Sequence, residues 1–162
     1  VGEEARAFGE GMAVPLVHDL NRSNTTNVSH HFVMDPGNGN VTVQVEHSAS
    51  QQGSRITVIE LDGATGAAAL AASGATSATI ERTATTTNAN SLLVSSAASS
   101  ISTDEGPVIT GATSLDSGGA GRTWGVGTGT SAEEAISPDD YAATFTFPAS
   151  SAVASLATEI LS

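Results

Sequence analysis

Apolar and polar residues alternate through much of this chain, and Gly, Asn, Asp, Ser and Pro interrupt the alternation at short intervals. Successive side chains of a strand point to opposite faces, so a period of two predicts an antiparallel all-β fold. Residues 41–47 show it most clearly, with Val41, Val43 and Val45 on one face. Asp35-Pro36-Gly37-Asn38-Gly39-Asn40 before them is a turn by chemistry, because Pro fixes φ and Gly supplies positive φ. Residues 28–34 then read as the hairpin partner of 41–47. Arg55-Ile56-Thr57-Val58-Ile59-Glu60-Leu61 reads as a central or bulged strand, since the adjacent Val58 and Ile59 shift the alternation.

Residues 63–78 are mostly Ala, Gly, Thr and Ser. Ala67 to Ala72 has helix propensity, but Gly74 follows, and the stretch reads as an irregular crossing between sheets. Strand signals resume at 79–83. Residues 91–97 form a short apolar run of the kind covered on both faces. Residues 107–110, 122–126 and 141–147 continue the series, the last with Tyr141, Ala143, Phe145 and Phe147 on one face. Residues 151–161 close it as an extended strand. Nothing has the βαβ rhythm of a parallel sheet, so the expected architecture is an antiparallel, jelly-roll-like β-sandwich. A lead-in over 1–8 precedes one domain over 9–162. Residues 114–122 and 128–140 read as two long loops at one end of it.

The core must be built from small residues. Aromatics make up 4% of the 162 residues, and the apolar 39% leans on Ala, Val, Ile and Leu. Such side chains bury little area each, which favours further burial at a subunit interface. The net charge is −12, and the five basic residues are all Arg. That surface repels phosphate backbones and anionic lipid heads, so neither nucleic acid nor a membrane surface is an expected partner. No apolar run reaches the roughly 20 residues of a membrane span. The acidity fits either a GC-rich coding bias or a marine or hypersaline habitat. With no Cys there is no disulfide, thiolate metal site or cysteine nucleophile.

Chemistry-bearing residues are sparse. His30 and His31 alternate on a strand and face opposite ways, so they read as surface or interface histidines rather than ligands of one metal ion. No Gly-x-Ser-x-Gly elbow accompanies the abundant Ser. Asp35, Asn38 and Asn40 lack the spacing and closing Glu of a calcium loop. Asp116, Asp139 and Asp140 fall on the two long loops, where they share an ion only if the tips meet. Trp124 and Arg122 flank the Gly-rich stretch, and an aromatic beside polar loops is one element of a sugar platform. Asp116, Arg122, Trp124, Asp139 and Asp140 are therefore the candidate ligand-facing residues. No catalytic residue, metal ligand or cofactor is expected, and the chain is not expected to be an enzyme.

Three stretches carry a family likeness: His30-His31-Phe32-Val33-Met34-Asp35-Pro36-Gly37 running into the Val/Thr strand, Ile56 through Gly63, and Ala89-Asn90-Ser91-Leu92-Leu93-Val94. With them the chain resembles a Gly/Thr/Ala-rich β-sandwich domain of tailed-virus structural proteins and some prokaryotic surface proteins. The resemblance implies a non-enzymatic virion protein that decorates the capsid or projects from it as turret or spike. Its implied partners are copies of itself, as a trimer or pentamer, and other virion proteins such as the capsid. The resemblance implies further strands upstream of Gly9; either the chain is a C-terminal portion of such a domain or a shortened version of it, and on both readings a sheet edge is expected to need a partner. The alternative is a receptor- or glycan-binding adhesin on a virus or cell surface.

Overall fold

The computed structural model describes residues 4–8, 12–17, 28, 30–34, 42–46, 55–101, 104–119, 127–134 and 139–162. These contain ten strands and no helix: β1 (Glu4–Phe8), β2 (Met12–Val17), β3 (His30–Met34), β4 (Thr42–Glu46), β5 (Gly66–Thr85), β6 (Leu92–Ser99), β7 (Val108–Thr110), β8 (Thr113–Gly119), β9 (Gly127–Glu134) and β10 (Asp140–Leu161). Every pairing is antiparallel. The main sheet has the order β5-β10-β6-β9-β8, with β7 also on β10. Two smaller ladders pair β1 with β4 and β2 with β3.

The longest strands, β5 and β10, organise the molecule. They run side by side from Gly66↔Leu161 to Thr85↔Asp140, with a break where residues 147–150 stand against Ala78 alone. Pro148 sits in that break. It has no N–H to give the ladder, so pairing lapses there and the strand can bend. The bend makes two arms. One consists of β5 79–85, β10 140–146 and β7; the other of β5 66–77, β10 151–161, β6, β9 and β8.

The two arms share their apolar side chains. Ile80, Ala143 and Phe145 of the first arm cluster with Ala97 and Val153 of the second, and Phe147 of the bend joins them. A second cluster joins Ala84 and Tyr141 to Leu93, Ala157 and Leu70. The expected face of Tyr141, Ala143, Phe145 and Phe147 is thus the one turned into the core. The other face of the second arm is also covered, for His30 of β3 lies on it and bonds Ser96 of β6 and Thr158 of β10. β6 is accordingly buried along nearly its whole length, as its unbroken run of small and apolar residues predicts.

Several expectations are corrected. Residues 28–34 and 41–47 do not form a hairpin: β3 pairs with β2 and β4 with β1. The stretch 63–78 is no irregular crossing, since β5 starts at Gly66 and its Ala run is held extended by register with β10. Tertiary pairing overrides the helix propensity of Ala there. The long loops over 114–122 and 128–140 are largely strands, β8 and β9, paired with each other from Thr113↔Ala132 to Gly119↔Gly127. Their Ser, Thr, Gly and Asp residues give no apolar period to read. Residues 55–61 form no strand. Glu4–Phe8, inside the expected lead-in, is strand β1. The expected strand at 122–126 and the turn at 35–40 lie outside the described residues.

Candidate functional site

Polar side chains converge at three places. The first is where residues 55–61 cross the face of β8. Asp116 and Gly118 share that face, and the Cβ that Gly118 lacks would run into the Arg55 guanidinium. Arg55 therefore lies flat on the strand. Its Nε and Nη2 donate to Asp116 Oδ2 and Oδ1 at 2.8 and 2.5 Å, a two-point fork. Thr57 Oγ1 donates to Asp116 Oδ2 at 2.7 Å. Hydrogen bonding from Arg55, with help from Thr57, pulls the Asp116 carboxyl down to about 2. The hydrogen bond to Asp116 and its charge raise the Arg55 pKa against the opposing effect of burial. Asp116 is thus no loop tip: it is a strand residue whose oxygens are already taken.

Thr57 and Arg55 face the sheet, so the residues between and beyond them face away. Ile56 is 50% exposed and Val58 69% exposed. Leu115, at the register shift in β8, is 45% exposed. The segment is β-prone and tied down by side chains, yet it pairs with no strand among the described residues. Asp116→Asn removes the charge from the fork. It should cost about 1 kcal/mol or less, as a partly exposed ion pair does, and free this segment. Hydrogen exchange should speed up in 55–61 and stay slow in β10.

The second place is Glu159 on β10, which is fully buried. The turn between β5 and β6 closes over it. Thr87 N and Asn88 N each donate to Oε1 at 2.9 Å, and Thr87 Oγ1 donates to Oε2 at 2.8 Å. The Ser91 hydroxyl lies 2.8 Å from Oε1 and 2.9 Å from the Asn88 carbonyl, one proton serving both. Asn90 takes φ of 60° to complete this turn, a conformation that Asn tolerates better than most residues. Burial pushes the Glu159 carboxyl up, but the amides and hydroxyls around it outweigh burial and hold it below its ordinary range.

The third is His30. Its Nδ1 lies 2.8 Å from Thr158 Oγ1 and its Nε2 2.8 Å from Ser96 Oγ. A hydroxyl this close to an imidazole matches a nucleophile beside its base. Here Ser96 is buried, and Nδ1 faces a hydroxyl instead of the carboxylate that would orient a triad. As placed, the contacts tie β3 to the sheet.

The other candidate residues fare differently. Asp139 and Asp140 are exposed at the start of β10. The Asp139 backbone exchanges bonds with Thr86, and Asp140 Oδ1 accepts from Thr85 Oγ1. No bond or shared partner joins them to Asp116 among the described residues, nor does any group of three or more His, Asp and Glu there have metal-holding geometry. Arg122 and Trp124 lie outside the described residues. Arg55, Thr57, Ser96 and Glu159 were not singled out by sequence. Glu159 alone leaves a trace there, as the one charged residue between 141 and 161, with neighbours that are apolar or small.

Comparison with known proteins adds no relative: no family model, curated protein or solved structure matches the chain.

Proposed function

We propose that this protein is a non-enzymatic structural subunit of a virion, decorating or projecting from the capsid of a tailed virus, and that it works as a homo-trimer or homo-pentamer. On this reading the two arms of the bent sheet are the layers of a jelly-roll-like sandwich. The observation that carries the proposal is the segment 55–61: β-prone, fixed by Arg55 and Thr57, and presenting Ile56 and Val58 to the outside. An isolated domain has no use for such a segment, whereas a neighbouring chain can cover it. The polar groups support the same reading. Asp116, Glu159 and His30 are engaged in holding segments together. Repeated lattice sites would make even a weak contact per subunit sufficient.

The acidic surface disfavours nucleic acid and anionic membranes and leaves protein neighbours as partners. The alternative, a glycan- or receptor-binding adhesin, places its ligand at the 114–124 and 139–140 regions of the chain. Purified particles decide between them. Stoichiometric recovery of the protein with capsid, and its density on the particle surface, is expected. Its absence from particles, together with retention on a glycan array that Trp124→Ala abolishes, would establish the adhesin instead.

A further inference from the structure

Among the described residues only three buried side-chain polar atoms lack a hydrogen-bond partner: Nε and Nη1 of Arg82 and Oγ of Ser95. The register brings their residues to one level of the molecule. On β5 Arg82 lies between Ile80 and Ala84, opposite Ala143 of β10. On β6 Ser95 lies between Leu93 and Ala97. Ile80 and Ala97 belong to one apolar cluster, Ala84 and Leu93 to the other. Arg82 and Ser95 therefore stand on facing arms, both at the seam between the two clusters. Ser155, between Val153 and Ala157 on β10, belongs to the same seam and reaches Ser73 of β5 at 3.4 Å.

We propose that this seam between the arms is a binding site for a small inorganic anion, a halide, held by the Arg82 guanidinium and the Ser95 hydroxyl. The donors decide the class. Guanidinium N–H groups can only donate and a hydroxyl can donate, so an acceptor is what they lack. A water molecule would satisfy some donors but leave the cation uncompensated, and a half-buried charge without a counter-charge is costly. The nearest acid in sequence, Glu81, points to the other face of β5 and receives a bond from Thr83. Glu159 is occupied by the Thr87–Ser91 turn. Burial also lowers the Arg82 pKa with nothing to offset it, as expected of a cation waiting for an anion. The side chains that flank the two donors, Ile80, Ala84, Leu93 and Ala97, are apolar and supply no acceptor of their own.

The test uses bromide as a probe and chloride as the solution ligand. In crystals containing bromide, an anomalous peak within hydrogen-bonding distance of Arg82 and Ser95 is expected. In solution the melting temperature should be higher in sodium chloride than in sodium gluconate at equal ionic strength, and the difference should saturate as chloride rises. Matched ionic strength removes general screening of the −12 charge from the comparison. Arg82→Met should abolish the difference, and Ser95→Ala should raise the chloride concentration at half-saturation. If Arg82→Met does not fold, the bromide map and the wild-type melts carry the test. Equal melting temperatures in the two salts would overturn the proposal even with a bromide peak present, because that combination means binding at crystal concentration only.

Discussion

Phe145→Ala should destabilise the protein by about 3–5 kcal/mol, enough to leave much of it unfolded at moderate urea concentration. Phe145 is completely buried, and its ring lies where the arms of the bent sheet meet, with Ile80, Ala97 and Val153. Its neighbours Ile80, Phe147 and Val153 are themselves already packed and the rest of the buried cluster is Ala, so the space it would leave is only partly refilled. Cavity cost therefore adds to the lost transfer energy. Chemical denaturation followed by the far-ultraviolet β signal measures the loss. A change below about 1 kcal/mol would mean that the arms do not close on one another at this residue.

Glu159→Ala should cost as much, about 3–5 kcal/mol, by a different route. It leaves the amides of Thr87 and Asn88 without the acceptor they now share, and it opens space beneath the turn. Glu159→Gln keeps the volume and one acceptor oxygen, so about 1–2 kcal/mol is expected. The pH dependence follows from the depressed folded-state pKa of Glu159. Its contribution is fully present above the unfolded carboxyl's pKa of about 4.3, and it is lost as pH falls from there through the lower folded value. Asp116, held near 2, adds a smaller loss over the same acidic range, discounted for its exposure. Wild-type stability should thus decline from pH 5 towards pH 2, and Glu159→Gln should decline less steeply.

Much of the fold is legible where side chains vary in size with a period of two. Residues 92–94, 108–109 and 141–147 carry Leu, Val, Ile or Phe at adjacent or alternating positions, and all lie in strands; 79–83, with Ile80 alone, and 151–161, with Val153, Leu156 and Ile160 at uneven spacing, are strands as well. Legibility fails where the pattern has no apolar partner to mark it. β8 and β9 are mostly Ser, Thr, Gly and acidic residues with the single large apolar Leu115, and the first half of β5 is mostly Ala, so only pairing across the sheet holds them extended. The turn at 35–40 gives a strong local signal, but which strands pair is a long-range matter that local turn chemistry does not fix. Residues 55–61 fail in the opposite sense: the pattern is a good strand, yet no described strand pairs with it. The polar centres depend on contacts that sequence spacing conceals. Arg55 and Asp116 stand 61 residues apart, Thr87 and Glu159 72. Each is an ordinary surface-type residue until the fold brings its partner to it.

The segment 55–61 also provides the most direct test of the structural-subunit proposal. Sedimentation velocity of the protein at micromolar concentration, with Val58→Asp run beside it, reports whether that surface holds chains together. Val58 is 69% exposed, so an Asp there should leave the fold and its β signal unchanged. The wild type is expected to sediment as a trimer or pentamer and Val58→Asp as a folded monomer, because a charge in a covered apolar contact disrupts it. A wild type that remains a stable monomer, indistinguishable from Val58→Asp, would contradict the account.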